Sequence, residues 1–515
     1  MTQICAEHVT FYYGGSHREI FRDMSFTIDT DWKLGLIGRN GRGKTTLLRL
    51  LLGKEEYQGR IVSPGEFTYF PFLLNMDLDN MTFEVAEEVL PGYEPWRLNR
   101  ELQYLETDPE ILYRPFSTLS QGERTKVLLA LLFIQENHFL LIDEPTNHLD
   151  LEGREIVSRY LNRKKGFILV SHDRTFLDGC IDHVMSINRQ GIDVVQGNFS
   201  SWWEDKTRRD QWEAQENEKL KKEIGRLTEA AKQVETWSGE VEKTKFGTRV
   251  GGLRPDRGAI GHKAAKMMKR AKTTERRMEE AAKEKSGLLK NVENVQKLKL
   301  FPLRHYKEEL VKFRGVSLAY GEKEVCRDLE FTLRRGERMV LAGGNGCGKS
   351  TVLKAVLSQA VARENAESHL AGNGLQVVRG SIETAPGLKV SWVPQDTSFL
   401  SGSLDDYIYS CGCDGHLMKM LLRKLDFSRE QFETPMEEYS EGQRKKVLLA
   451  RSLGERAHLY IWDEPLNYID VFSRMQIEDL LEDSDLSLLF VEHDSVFSEK
   501  ISRGCKYCIS ACFSV

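Results

Sequence analysis

Two glycine-rich loops in this chain each end in a lysine and a hydroxyl residue, a pattern suited to holding phosphate. The loops are GRNGRGKTT at 38–46 and GGNGCGKST at 343–351. Glycines permit backbone turns that point successive N–H groups at phosphate oxygens where a helix begins. The lysine would reach the terminal phosphates, and the next side chain would supply a hydroxyl to Mg²⁺. The predicted phosphate-binding residues are Gly38, Asn40, Gly41, Gly43, Lys44, Thr45, Thr46, Gly343, Asn345, Gly346, Gly348, Lys349, Ser350 and Thr351.

Two adjacent carboxylates follow a short apolar run in each half of the chain. HFLLID ends at Asp143, before Glu144, and HLYIWD ends at Asp463, before Glu464. Such runs predict buried strands, and open α/β sheets bind their ligands at the carboxyl ends of the strands. We therefore predict that the aspartates bind Mg²⁺ and that the glutamates orient or deprotonate an attacking water.

A histidine followed by aspartate occurs at the same place in both halves, within VSHDRTF and VEHDSVF. A single histidine is more often structural, but these two occupy matching places behind the same motifs. We predict that His172 and His493 contact the terminal phosphate.

The same ordered series of motifs occurs twice, about 305 residues apart at the glycine loops. Short apolar runs alternate with helix-compatible segments in both series, which predicts two α/β domains with largely parallel, doubly wound sheets. Between residue 72 and the run TLSQGER there are only about 45 residues, enough for a small helical lobe. The chain is therefore an internal duplication.

The motif order resembles the Walker A, signature, Walker B, D-loop and switch-histidine series of ATP-binding cassette ATPases, over both halves. The resemblance implies an ATPase in which two cassettes meet head to tail, within one monomer, around two ATP molecules. The signature of each cassette would cap the ATP bound by the other. By this resemblance Ser440 and Gly442 complete the site of Lys44, Ser120 and Gly122 complete that of Lys349, and Tyr13 and Tyr320 stack on adenine.

Two positions depart from the pattern of that family. Its Q-loop glutamine, which the resemblance places at the metal, is present as Gln395, but Phe72 stands at the equivalent place in the first half. In the second signature Glu441 stands where glycine is commonest. The first site is thus expected to differ in its Mg²⁺ or water geometry, and turnover at the site capped by Glu441 to be slower. Since both catalytic glutamates are present, two hydrolysing sites are expected.

Composition argues against a membrane-embedded or disulfide-stabilised protein. Hydrophobic residues make up 40% and charged residues 29% of the chain, and no apolar run approaches the roughly 20 residues that span a bilayer. The 9 cysteines are too few for a disulfide framework. The first residues lack a secretory signal, so a cytoplasmic protein is expected.

Residues 204–304 are rich in Lys, Arg, Glu and Ala, and apolar residues recur at spacings of three and four. Two such helical stretches flank a glycine-rich break, which predicts a helical hairpin. From Lys243 to Arg277 there are 12 basic and 2 acidic residues, within a chain of net charge −5. This asymmetry predicts contact with nucleic acid phosphates, with Phe246 and Trp237 available to stack on bases.

The predicted domains are a first cassette at 1–203, the basic hairpin at 204–304 and a second cassette at 305–515. Two cassettes, the sequence EPTNHLD and a long basic linker together resemble the ABC-F family, in particular its antibiotic-resistance members of the Lsa and Vga type. That resemblance implies a factor that enters the tRNA exit site of the bacterial ribosome in its ATP-closed state. Its hairpin would approach large-subunit rRNA and peptidyl-site tRNA, and dislodge lincosamides, pleuromutilins or streptogramin A.

Three alternatives share some of these features. A housekeeping ABC-F translation factor acting on stalled ribosomes would carry every motif. The ATPase component of a transporter would need a separate membrane partner, and a basic linker is unexpected for it. In a DNA-repair or chromosome-structuring ATPase the coiled coil usually interrupts a cassette instead of joining two complete ones.

Overall fold

The computed structural model describes residues 3–13, 19–72, 74, 79–135, 138–147, 149–188, 191–243, 269, 273, 276–277, 300–361 and 374–509. The chain divides into two compact units, one of residues 1–200 with 297–515 and one of residues 201–296. Both motif series lie in the first unit.

The first half of the chain forms an antiparallel sheet of order β2-β1-β4 and a six-stranded sheet of order β5-β6-β7-β3-β8-β9. Its strands are β1 (Gln3–Tyr12), β2 (Glu19–Asp29), β3 (Lys33–Ile37), β4 (Gln58–Val62), β5 (Glu66–Phe70), β6 (His138–Asp143), β7 (Phe167–Val170), β8 (His183–Ile187) and β9 (Ile192–Gln196). Its helices are α1 (Lys44–Leu51), α2 (Thr82–Val89), α3 (Pro95–Tyr104), α4 (Gln121–Ile134), α5 (Leu151–Asn162) and α6 (Arg174–Cys180), with 3₁₀ turns at Pro109–Tyr113 and Phe116–Thr118.

The second half repeats this plan with sheets of order β11-β10-β13 and β14-β15-β16-β12-β17. Its strands are β10 (Glu309–Tyr320), β11 (Lys323–Arg334), β12 (Arg338–Ala342), β13 (Leu375–Thr384), β14 (Val390–Val393), β15 (Leu459–Asp463), β16 (Leu488–Val491) and β17 (Lys506–Cys508). Its helices, numbered after the linker helix α7 (Phe199–Lys243), are α8 (Lys349–Val361), α9 (Leu404–Ser410), α10 (Gly415–Lys424), α11 (Glu441–Gly454), α12 (Val471–Glu482) and α13 (Ser495–Ser502), with 3₁₀ turns at Glu430–Phe432 and Met436–Glu438.

The central strands of the larger sheet in each half are buried on both faces, as their continuous apolar sequences require. All residues of β7 and β16 are buried, and neighbouring strands run parallel except for β9. Strands covered on both faces read as unbroken apolar runs, which is why HFLLID and FILV are strands here. The predicted α/β architecture of both halves is confirmed, as are the small helical lobes before each signature.

The sheet order brings the glycine loops next to the carboxylates. The first loop follows β3 and Asp143 ends β6, and a single strand, β7, separates the two in the sheet. In the second half β16 lies in the same way between β12 and β15. Both motifs therefore meet at the carboxyl edge of the sheet, where parallel α/β folds bind ligands.

The linker begins with one long helix, α7, of 45 residues, which would extend roughly 65 Å at 1.5 Å per residue. It starts at Phe199, so the predicted boundary at 203/204 falls inside this helix. Lys269, Thr273, Arg276 and Arg277 are also helical. The predicted tip and the pairing of two arms fall outside the described residues. Among the described residues no helix is both long enough and apolar enough to span a membrane.

The two halves contact each other directly within the first unit. Asn40 Nδ2 donates to the carbonyl oxygen of Tyr468 at 3.1 Å, and Arg154 Nη1 donates to that of His493 at 3.3 Å. Arg39 Nη1 lies 3.1 Å from Asp426 Oδ1. All three contacts involve residues of the motifs, namely Asn40, His493 and Arg39, so the halves meet through their predicted sites.

A buried ion pair joins the halves on one side only. Nη1 and Nη2 of Arg174 both donate to the Glu478 carboxylate, and both side chains are buried. Alignment of the motifs places Ser495 and Ser158 at the equivalent positions. Lys500 Nζ also lies 3.4 Å from Glu478 Oε2, so this carboxylate has a second cation.

Removing Glu478 and removing Arg174 are expected to destabilise the protein by different amounts. Glu478→Gln leaves the buried Arg174 charge without its carboxylate and should lower the free energy of unfolding by about 3 kcal/mol. Arg174→Ser should cost less, because Lys500 still pairs with Glu478. The measurement is denaturant unfolding of each variant. The double variant Arg174→Ser/Glu478→Ser reproduces the serine pair of the other side, and it should recover most of the Glu478→Gln loss. Equal losses in the two single variants would contradict this account.

Candidate functional site

Each glycine loop holds its lysine in place through the loop's own backbone. Gly41 and Gly43 adopt φ of 76° and 92°, and Gly346 and Gly348 adopt 79° and 95°, values that suit residues without a Cβ. A Cβ on Gly43 would lie only 2.7 Å from Ile20 Cγ2. The helix that follows each loop starts at the lysine, α1 at Lys44 and α8 at Lys349.

The loop lysines are buried and bound to carbonyl oxygens. Lys44 Nζ donates to Gly38 O at 2.7 Å and to Asn40 Oδ1 at 3.1 Å. Lys349 Nζ donates to Gly343 O and Gly344 O, both at 2.9 Å. Burial lowers the pKa of Lys44, while nearby carboxylates, Asp470 first, oppose that shift. Each loop thus carries a poorly solvated cation, which an anionic phosphate would stabilise.

The predicted metal-binding hydroxyl and carboxylate are adjacent in the second half. Ser350 Oγ donates to Asp463 Oδ1 at 3.0 Å. Burial raises the pKa of Asp463 to about 6, although the hydrogen bond from Ser350 lowers it. In the first half burial raises the pKa of Asp143, while hydrogen bonds from Tyr69 and Thr45 lower it. Hydroxyl and carboxylate oxygens are the donors Mg²⁺ prefers, and desolvated carboxylates would gain from a cation, so both sets fit this ion.

Both predicted catalytic glutamates have the same unusual backbone conformation. Glu144 and Glu464 have φ of 50° and 46°, in the left-handed region that non-glycine residues seldom adopt. Each amide still donates across the sheet, to Val170 O at 2.9 Å and to Val491 O at 3.0 Å. Such strain costs about 1–3 kcal/mol and concentrates at functional sites.

The second glutamate is held by three side chains. Gln395 Nε2 donates to Glu464 Oε2 at 2.8 Å, and Asn467 Nδ2 donates to the same oxygen at 2.7 Å. His493 Nε2 lies 3.5 Å from Glu464 Oε1. Burial raises the pKa of Glu464, but the hydrogen bond and charge of His493 outweigh it, and the net shift is downward. Gln395, which the family resemblance places at the metal, thus contacts the glutamate in this structure.

The first glutamate has a less polar environment. Phe72 takes the position of Gln395 and has no donor to offer, and its ring lies edge-on to Phe70 with centroids 6.5 Å apart. His172 Nε2 lies 3.2 Å from Glu144 Oε1. Burial, together with the charge of Asp143, raises the pKa of Glu144 to about 8. The two glutamates therefore differ in charge near neutral pH.

The first histidine is neutral. Burial, followed by the charges of Lys44 and Arg474, holds the pKa of His172 well below its ordinary value. A neutral imidazole donates from one ring nitrogen and accepts at the other. His172 is thus suited to a hydrogen bond with phosphate or water.

A cavity of about 790 Å³ beside the second glycine loop is lined by both halves. Gln121, Asn147 and Leu149 of the first half face the predicted phosphate-binding residues across it. Gln121 lies between Ser120 and Gly122, so the first signature is at this cavity. From the second half it is lined by Tyr320, Lys323, Glu324, Val325, Asn345, Gly346, Gly348, Lys349, Ser350, Thr351, Gln395, Glu464 and His493.

At the first loop the second signature lies in the corresponding place. A Cβ added to Gly442 would lie 3.3 Å from Asn40 Nδ2. Ser440 caps α11, with its hydroxyl accepting from Gln443 N at 3.3 Å, as Ser120 caps α4. A further cavity of about 520 Å³ is lined by Thr45, Asp143, Glu144 and other first-half residues.

The tyrosine predicted to stack on the first adenine lies against the loop. The Tyr13 hydroxyl is 3.0 Å from Thr46 Oγ1, and its ring is edge-on to Phe11 at 4.9 Å. Tyr13 is exposed, so one face of the site remains accessible at this position.

Sequence reasoning missed several residues of these sites. Tyr69 donates to Asp143 Oδ2 at 3.0 Å, and nothing in the second series repeats it. Arg154 and Arg474 pair with Asp173 and Asp494 behind the predicted histidines, at 2.8 and 3.1 Å. Arg154 and Arg474 could have been predicted, because they occupy equivalent positions in the two halves of the sequence.

The raised pKa of Glu144 predicts different pH profiles for the two sites. In a Glu464→Gln protein, where only the first site hydrolyses ATP, the rate should rise about tenfold from pH 7 to pH 9 as Glu144 ionises. In a Glu144→Gln protein the rate should stay level, because the pKa of Glu464 is lowered. Adding Phe72→Gln to the Glu464→Gln protein should shift its profile to lower pH. Identical profiles at both sites would contradict the prediction.

Comparison with known proteins assigns the fold and motifs to a family. The ABC transporter family profile matches residues 21–147 and 326–467. The chain is 27% identical over 498 residues to the ribosome protection protein VmlR of Bacillus subtilis (strain 168), covering 96% of this chain and 84% of that protein. It is 27% identical over 493 residues to the erythromycin resistance ATP-binding protein MsrA of Staphylococcus epidermidis, covering 91% and 90%.

A solved structure shares the overall fold. The crystal structure of an archaeal ribosome recycling factor in complex with a ribosomal stalk protein superposes with a TM-score of 0.59 at 18% identity, covering 97% of this chain and 86% of that one. With the paired nucleotide motifs and the two profile matches, the resemblance to ABC-F ATPases is confirmed. The chain belongs to the ABC transporter family and is an ATPase with two ATP-binding cassettes.

Proposed function

We propose that this chain is an ABC-F ATPase that binds the bacterial ribosome in its ATP-closed state and protects it from antibiotics. Residues 204–304 would enter the tRNA exit site and reach toward the peptidyl-transferase centre, dislodging lincosamides, pleuromutilins or streptogramin A. Support comes from relatives named for ribosome protection and erythromycin resistance, each matched over more than nine-tenths of this chain. The protein would thus be ribosome-associated in the cytoplasm.

The observation that carries the mechanism is the cavity lined by both cassettes. Lys349 and Ser350 face Gln121 and Asn147 across it. A nucleotide bound there touches both cassettes, so ATP stabilises the arrangement in which they are together. ATP would act as a clamp and its hydrolysis as a timer, with no transport step.

The site residues divide the work of hydrolysis. We assign Lys44 and Lys349 to the terminal phosphates, and Glu144 and Glu464 to the attacking water. His172 and His493 would hold the transferred phosphoryl group. Mg²⁺, bound by Thr45 with Asp143 and by Ser350 with Asp463, would neutralise phosphate charge.

The linker supplies a surface for RNA. Its 12 basic and 2 acidic residues between Lys243 and Arg277 give +10, while the whole chain carries −5. A polyanion is therefore attracted to this segment and repelled by the rest of the chain. Large-subunit rRNA and peptidyl-site tRNA are the polyanions proposed, gripped mainly through phosphate.

The clamp predicts that blocked hydrolysis traps the factor. The Glu144→Gln/Glu464→Gln protein should bind ATP normally and cosediment with ribosomes. The ribosome-bound variant should exchange with free protein at least tenfold more slowly than the unmodified protein does. The control is Lys44→Ala/Lys349→Ala, which lacks the phosphate contacts and should not be retained. Rapid exchange of the glutamine variant in ATP would rule out the clamp.

Antibiotic protection is tested directly in cell-free bacterial translation. Purified protein and ATP should relieve inhibition by a lincosamide, a pleuromutilin or streptogramin A, but not by tetracycline. Reversal of Arg249, Arg254 and Arg257 to Glu should abolish relief and leave basal ATPase intact, since these residues lie far along the sequence from either cassette.

The matched control reverses Arg208, Arg209 and Lys219, which are exposed basic residues of the same linker. Relief should survive this change if the segment around residues 249–257 is the working element. Ribosome binding without relief from any drug would favour a housekeeping translation factor.

A further inference from the structure

A lysine of the second cassette is buried to an unusual degree. Lys445, on α11, is only 2% exposed and belongs to the largest fully buried side chains of the described part of the chain. Its Nζ donates to Pro394 O at 2.7 Å and lies 3.4 Å from Asp463 O. Charged side chains are seldom buried unless they are paired or hydrogen-bonded, so the two carbonyl oxygens account for the burial of the Lys445 ammonium group.

The two carbonyl oxygens belong to the residues directly before two site residues. Pro394 precedes Gln395, and Asp463 precedes Glu464. Gln395 and Glu464 are themselves joined by the hydrogen bond of 2.8 Å. One ammonium group thus fixes the backbone under both partners of that hydrogen bond.

The first cassette has neither the lysine nor the glutamine of this arrangement. Thr125 stands at the position of Lys445, and its hydroxyl donates to Gln121 O of its own helix at 2.9 Å. Phe72 stands at the position of Gln395. The lysine and the glutamine therefore occur together in one cassette and are both missing from the other.

The helix that carries Lys445 also touches the other ATP site. It begins next to Ser440, and Gly442 packs against Tyr468 O and Asn40 Nδ2 of the first glycine loop. Lys445 lies one turn further along on the same helix. A shift of the signature at the first site therefore moves the contacts made by Lys445.

We propose that Lys445 is a positioning residue of the second ATP site, which sets the geometry of Gln395 and Glu464 and links it to the signature that caps the first site. It touches neither nucleotide nor water in this role. Its effect is on the orientation of Glu464 and hence on turnover, with little effect on ATP binding.

The test isolates each site with a glutamine variant. In Glu144→Gln protein only the second site hydrolyses ATP, and Lys445→Met should lower its kcat about 10- to 100-fold while KM stays within about twofold. In Glu464→Gln protein, where only the first site works, the same substitution should change kcat by less than about twofold. Thr125→Val is the matched control and should spare both sites.

Lys445→Thr, which copies the residue of the first cassette, provides a second deletion of the ammonium group if the methionine variant folds poorly. Thermal unfolding is measured for every variant. With either Lys445→Met or Lys445→Thr, a loss of kcat confined to the second site supports the proposal. Equal losses at both sites, or no loss at either, would overturn it.

The link to the signature is tested by a double-mutant cycle in Glu144→Gln protein. A Cβ at Gly442 would collide with Tyr468 O, so Gly442→Ala displaces the start of the helix. This change should slow the second site when Lys445 is present and add little when Lys445→Met is already there. Losses that multiply independently would refute the link.

Discussion

The contact between the two cassettes is the constraint on which the other features depend. Asn40 of the first phosphate loop is bound to the backbone of Tyr468, and Arg154 is bound to that of His493. The cavity beside the second loop is lined by residues of both cassettes. Neither site is therefore a property of one domain, and a nucleotide bound between the cassettes would contribute directly to holding them together.

The backbone of the two sites is nearly the same, and their side chains are not. Both glutamates share the left-handed turn, and both lysines are held by loop carbonyls. At equivalent positions the second site has Gln395 and Lys445, where the first site has Phe72 and Thr125. The duplication kept the residues predicted to bind phosphate, while the residues around the predicted catalytic glutamates diverged. The pKa values also differ, because burial and the charge of Asp143 raise that of Glu144, whereas the hydrogen bond and charge of His493 bring that of Glu464 down.

The sequence was sufficient to predict what depends on local pattern. Glycine loops, apolar strands and the carboxylates behind them have a spacing that fixes their place in an α/β sheet, so Lys44 and Asp143 could be located without coordinates. The pairing of Arg174 with Glu478 could not, because the two residues are far apart in sequence and only one side has them. Lys445 was hidden for a similar reason: a lysine in a charged helix reads as exposed until its partners at Pro394 and Asp463 are known. The start of the linker helix at Phe199 was not predicted either, although Gly197 stands between β9 and this helix.

Unequal sites have a consequence for a clamp that is held by two nucleotides. In the proposed clamp each bound ATP would add its own preference for the closed state, and moving a population from mostly closed to mostly open takes about 5.5 kcal/mol of differential binding. Loss of one nucleotide would supply only part of that difference, so in this proposal the slower site would determine how long the cassettes stay together. At neutral pH the protonated Glu144 would make the first site the slower one, since a neutral carboxyl cannot accept a proton from water. Lys445 lies between the signature over that slow site and the glutamate of the fast one. It is therefore placed to let the state of the first nucleotide influence hydrolysis of the second.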